Sequence, residues 1–246
     1  MAGILERYGI KEVADVMFLE INEDNTTTPV LFLDTLKVST VETTADQTEA
    51  RGGKGNSPLI IWDYGKEITL TLQDALYSPK SMAMIYGDNN GVGTVTKVTK
   101  YINYVANSST TPTQITVPTG YRGANAQTDT TAAVKKIYDA DGSTVTTLTT
   151  GDRYMIEYEV TATSSSVIEI SASSFPGTYK IIGDTYARNQ KTGKDDFFQF
   201  IIYQAKMSAE TTLTLEAEGD PTVFDMTLRV LRPDDGKMME LVQYTI

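Results

Sequence analysis

Two pairs of carboxylates, Glu157 with Glu159 and Glu216 with Glu218, come nearest in type and spacing to a catalytic arrangement. Paired carboxyl groups flanking a bond are what glycoside hydrolysis requires, one as acid and one as base or nucleophile. Here each pair is two residues apart, so on a strand both side chains share a face, the ordinary position of solvated carboxylates. The plainer reading is preferred. Histidine and cysteine are both absent, which removes the commonest general base, the thiolate nucleophile and the usual nitrogen and sulfur metal ligands. Gly52-Gly53-Lys54-Gly55 has the look of a phosphate loop, but Gly55 stands where a Ser or Thr must follow the lysine. Asp139-Ala140-Asp141-Gly142 opens like a calcium loop, yet its glycine comes too early and no glutamate closes it. A turn accounts for it. The expectation is therefore a non-enzymatic chain with no catalytic residues, no cofactor and no metal site.

The formal net charge of −11 and pI near 4.5 oppose attraction to nucleic acid, which needs clustered Lys and Arg to displace counterions. Hydrophobic residues at 40% suffice for a packed core. No apolar run approaches a membrane span, and Met1 to Tyr8 lacks a secretory core, so a soluble product of a cytoplasm is expected. Trp62, beside Ile60, Ile61 and Tyr64, reads as a core or subunit contact in preference to a sugar platform.

The elements that would position these residues read as strands. Residues 11–22 and 29–40 are rich in β-branched and apolar residues, and the polar Glu23-Asp24-Asn25-Thr26 between them predicts a hairpin. From Val41 to Pro58 the pattern dissolves into Thr, Asp, Gln and glycine, which predicts a long polar loop with a binding role. Residues 65–74 alternate, with Ile68, Leu70 and Leu72 on one side and Glu67, Thr69, Thr71 and Gln73 on the other. Ser78-Pro79 predicts a short helix ended by Gly87, with Met82, Ile85 and Tyr86 on its buried side. Residues 88–165, rich in Thr, Ser, Asn and Gly, read as a β-rich insertion carrying strands at 94–105, 134–138 and 153–160. Residues 1–87 and 166–246 form the main fold. Strand-like runs follow at 167–171, 177–183, 184–188, 197–205, 211–218, 222–232 and 237–246, a spacing that predicts a meander. The fold class is all-β with one or two short helices, an antiparallel β-sandwich or barrel.

The run Phe197-Phe198-Gln199-Phe200-Ile201-Ile202, the segment from Glu218-Gly219-Asp220-Pro221 to Met226, and the closing Leu231-Arg232-Pro233 and Met238-Met239 resemble the tail tube (major tail) proteins of tailed bacteriophages. So does the front end, with its hairpin, glycine-bearing loop, alternating strand and short helix. The resemblance covers Lys11 to Gly87 and Val167 to Ile246. It implies a β-barrel subunit that forms hexameric rings stacked into a hollow tube in the virion tail, through which DNA passes without specific binding. It also implies tape-measure and baseplate proteins as partners, and a sheath where the tail is contractile. Joining strands of neighbouring subunits into one inner barrel would remove exposed sheet edges.

Set beside that resemblance, the polar faces carrying Glu67, Thr69, Thr71 and Gln73, and Thr212, Thr214, Glu216 and Glu218, are expected to line the channel. Acidic, Thr-rich walls repel phosphate. The loop bearing Thr44, Asp46, Glu49, Arg51, Gly52, Gly53, Lys54, Gly55 and Asn56 is expected to reach the adjacent ring. Two alternatives stay open: another virion β-protein, such as a capsid decoration, baseplate or tail-terminator component, and a carbohydrate-binding module using Tyr101, Tyr104, Tyr121 and Tyr154.

Overall fold

The computed structural model describes residues 7–88, 92–95, 97–117, 130–162, 164–215 and 222–245. It divides into two compact units, Met1–Val92 with Ile168–Ile246, and Gly93–Val167. All of the strand pairing is antiparallel.

The first unit opens with β1 (Tyr8–Ile10), then β2 (Asp15–Ile21) and β3 (Thr27–Leu33), joined by the turn at Asn22–Thr26. Asp24 shapes that turn by accepting from both the backbone and the hydroxyl of Thr26. The chain then breaks at Asp34-Thr35 instead of running straight to residue 40, and β4 (Leu36–Gly52) and β5 (Ser57–Asp74) follow. After the helix α1 (Pro79–Tyr86) the chain leaves for the second unit. It returns as β10 (Thr178–Asn189), β11 (Asp195–Met207), β12 (Phe224–Val230) and β13 (Met239–Tyr244). The two runs expected at 177–183 and 184–188 are thus one strand.

Strand order in this sheet is β3-β2-β10-β11-β12-β5-β4, with β1 also on β10 and β13 also on β11. The sheet is not a closed barrel, and the order is not that of a simple meander, because β12 inserts between β11 and the early hairpin. Its core is nonetheless single. Leu31 and Leu33 from one end of the order, Leu36, Leu70 and Leu72 from the other, and Phe18, Ile181, Ile202, Met226 and Leu228 between them are all buried in one cluster. Helix α1 adds Met84 and Ile85 to it. Ser78 caps that helix through a reciprocal exchange with Ser81, Pro79 occupies its first position, and Gly87 closes it in the left-handed region. The buried side holds Ala83, Met84 and Ile85, while the expected Met82 and Tyr86 are only partly covered.

The second unit is a four-stranded sheet in the order β6-β9-β8-β7, made of β6 (Lys97–Val105), β7 (Gln114–Val117), β8 (Thr130–Tyr138) and β9 (Arg153–Thr161). Ile137, Leu148, Tyr154, Ile156 and Tyr158 form its own core. Strand β7 escaped the sequence reading. Asp139 organises the tight turn that follows β8, accepting from the backbone of Asp141 and Ser143.

Candidate assembly surfaces

The largest departure from expectation is the segment Val41 to Pro58, which is not a loop. Strand pairing between β4 and β5 continues from Leu36↔Asp74 out to Gly52↔Ser57, leaving only Gly53–Asn56 as the turn. The sequence hid this because a strand with neither face buried has no reason to alternate. Gly53 and Gly55 take positive φ at the tip, with Asn56 also left-handed, and the Asn56 amide donates to the Gly53 carbonyl. The tip residues Arg51 to Asn56 thus end a paired two-stranded arm.

The long hairpin has two halves. In its base, β5 is packed between β4 and β12, and its residues alternate between core and outward positions. Ser39, Leu72 and Met226 share one inward row, and Val41, Leu70 and Leu228 the next. Facing outward are the rows Val38–Gln73–Asp225, Thr40–Thr71–Thr227 and Glu42–Thr69–Arg229, with Thr44–Glu67 beyond them. Glu67, Thr69, Thr71 and Gln73 therefore lie together on one polar face, as the alternation of residues 65–74 required. Strand β12 supplies the part of this face that was not named from sequence, although Asp225, Thr227 and Arg229 alternate plainly with Met226, Leu228 and Val230. Arg229 donates to Glu67 at 2.5 Å, and that hydrogen bond with its charge holds the Glu67 carboxyl below its ordinary value.

Beyond Ile68 the hairpin leaves the body. Gly65, at φ +61°, lies in the register slip between the pairs Thr44↔Glu67 and Asp46↔Tyr64, and a Cβ there would come within 3.1 Å of the Asp46 carboxylate. The resulting bulge twists and re-aims the strands. Thr44, on the near side of it, is exposed, as are Asp46, Glu49, Arg51 and Lys54 past it, and Arg51 pairs with Glu49. Directly opposed residues put Ala50, Thr48 and Asp46 on one side of the arm with Ile60, Trp62 and Tyr64. The other side carries Glu49 and Gln47 with Ile61 and Asp63. Trp62 is 51% exposed and Leu59, near the tip, 67%. A two-stranded hairpin alone in water is marginal at best, and this one keeps a tryptophan and neighbouring apolar groups in solvent, which makes the arm a candidate contact surface.

The second expected channel segment is not a strand in the described residues. Residues 208–215 are irregular, Thr212 and Thr214 are exposed, and the Thr214 carbonyl accepts from the Thr222 hydroxyl. Glu216 and Glu218 lie outside the described residues. Of the other carboxylate pair, Glu159 is bound by Lys97 and Lys135, whose hydrogen bonds hold it below its ordinary value, and Glu157 accepts from the Tyr138 hydroxyl. The tyrosines of the carbohydrate reading do not form one platform. Tyr101 is exposed, Tyr154 is buried in the unit core, Tyr104 packs against that core while bonding Asn107, and Tyr121 lies outside the described residues.

The model of the YomU/Tube protein family matches residues 8–243, nearly the whole chain and both units of the structure. The chain belongs to the YomU/Tube protein family. No curated protein matches it. Membership in the YomU/Tube family makes the chain a phage-type structural protein of tube-like kind and associates it with the virion. Among the described residues no helix is long and apolar enough to cross a membrane.

Proposed function

We propose that this chain is the repeating subunit of a phage tail tube: six copies close a ring, rings stack, and DNA leaves the capsid through the hollow centre. The observation that carries the reading is the exposed two-stranded arm of a YomU/Tube family member, an element that gains stability only by leaving its own subunit. The polar face of β4, β5 and β12 suits the channel wall. Its threonines and amide offer no fixed cation for phosphate, and its one arginine is already paired with Glu67. An acidic, hydroxyl-rich wall lets a polyanion slide. The arm takes the inter-ring role, with Thr44, Asp46, Glu49 and the Arg51 to Asn56 tip projecting from the subunit. Tape-measure and baseplate proteins, and a sheath in a contractile tail, are the expected further partners.

Electron microscopy of the purified protein tests this directly, since a hollow tube is expected and a monomer at every concentration would refute it. Deleting Arg51 to Gly55 should leave a folded monomer that polymerises poorly, and unimpaired tubes would remove the arm from the assembly. In a structure of the assembled tube, Glu67, Thr71 and Gln73 should face the lumen. Finding them on the outer surface would reassign the channel.

A further inference from the structure

The first unit carries a second outward face, and it is unlike the polar one. Phe32 of β3, Met17 of β2, Ile182 of β10 and Ile201 of β11 stand directly across from one another in an unbroken apolar row. Their neighbours on the opposite pleat, Leu31, Val16, Phe18, Ile181 and Ile202, are buried in the core, so the row is a separate outward surface. Phe32 is 51% exposed and the other three are partly so. Beside the row on one flank lies Lys180, whose ammonium sits over the Tyr203 ring and has no ion-pair partner among the described residues. On the other flank lie Asp15 and Asp184, opposite each other, with Asp184 accepting from Gln199 and Tyr244.

We infer that this row is the receptor for the arm of a second copy of the chain, with Ile60, Trp62 and Tyr64 laid across it; the inference rests on the tube reading and names the contact that builds it. Dimensions agree. Four strands in register span three inter-strand spacings, roughly 14 Å, and the apolar stripe from Ile60 to Tyr64 spans four residue rises, roughly 13 Å. An arm crossing the receptor strands near a right angle is the orthogonal mode of sheet packing. Charge sets its orientation. Asp46 flanks Tyr64 on the apolar side of the arm, so β4 of the incoming arm lies on the Lys180 flank and is repelled from Asp15 and Asp184. Arm and row are different surfaces of one chain, so the contact is heterologous. It propagates into a ring or a filament and does not stop at a two-fold dimer.

Because the chain has no cysteine, paired cysteines report the contact cleanly. Trp62→Cys with Ile182→Cys, oxidised under assembly conditions and run without reductant, should give a ladder of covalent multimers. Either single variant should give no ladder, and Trp62→Cys with Thr71→Cys should give none. Tubes in micrographs together with a ladder only from the Thr71 pair would overturn the inference and leave the tube reading standing. A disulfide confined to monomers would also overturn it, since the arm would then fold back on its own subunit. A ladder from the Ile182 pair without tubes would support the contact and refute the tube. Lys180→Glu with Trp62 and Ile182 intact should raise the concentration needed for polymerisation by about tenfold, and adding Asp46→Lys should restore it. No rescue by the second change would remove the proposed orientation.

Discussion

The base and the arm of the β4 to β5 hairpin are one continuous ladder, yet they obey different rules. In the base, Leu70 and Leu72 are fully buried between Val41 or Ser39 on one side and Leu228 or Met226 on the other. In the arm, Ile60, Trp62 and Tyr64 follow the same every-second-residue spacing and remain more than half exposed. The pairing is the same and the solvent is different. Backbone hydrogen bonds hold the ladder together in both halves, but only the base gains the transfer of apolar side chains out of water. Local pairing alone therefore does not explain the arm, and its apolar side makes sense as part of an interface.

That contrast can be broken at several points. Leu70→Ala should have the largest effect, destabilising the isolated subunit by about 2–5 kcal/mol in urea unfolding, because it opens a cavity in the closed core. Gly65→Val comes next. A β-branched residue at positive φ beside Asp46 should cost about 1–3 kcal/mol and redirect the arm, read as lost stability together with impaired polymerisation. Trp62→Ala should move subunit stability by less than about 0.5 kcal/mol while weakening polymerisation, the reverse of Leu70→Ala. If Trp62→Ala destabilised the monomer as much as Leu70→Ala, the arm would be packed within its own subunit and the contrast would fail.

The smallest effect lies at the junction. Arg229 lowers the Glu67 carboxyl, so the pair contributes at pH values above that of an unfolded glutamate and the contribution disappears as pH falls through the lowered value. Glu67→Gln should therefore remove that small contribution at neutral pH, leave stability at low pH unchanged, and so flatten the acid limb of the stability profile in that window. Both groups are well exposed, which keeps the change small.

Much of the base was legible in the residues. Ile68, Leu70 and Leu72 alternate because one face meets a core, and that periodicity also gave the polar face with Thr69, Thr71 and Gln73. Ser78, Pro79 and Gly87 announced the helix through capping chemistry, which is local. The arm was not legible. Its strands lack alternation against a core, and of the glycines read as the middle of a loop, Gly52 ends β4 while Gly53 and Gly55 lie in the turn of a hairpin. The run expected at 211–218 differed in the other direction, since threonine-rich composition suggested a strand and its described part, residues 211–215, forms none among the described residues.

Composition and alternation mark the chain as an acidic, His-free and Cys-free β-protein, because a side-chain period of two is a local consequence of the pleat. Which rows face outward together depends on how distant strands pair. Thr40, Thr71 and Thr227 lie far apart along the chain, as do Phe32, Met17, Ile182 and Ile201, and strand order and register bring each set onto one surface. Register is a non-local choice made by the shared core, so the polar wall, the apolar row and the projecting arm appear only once the core has closed.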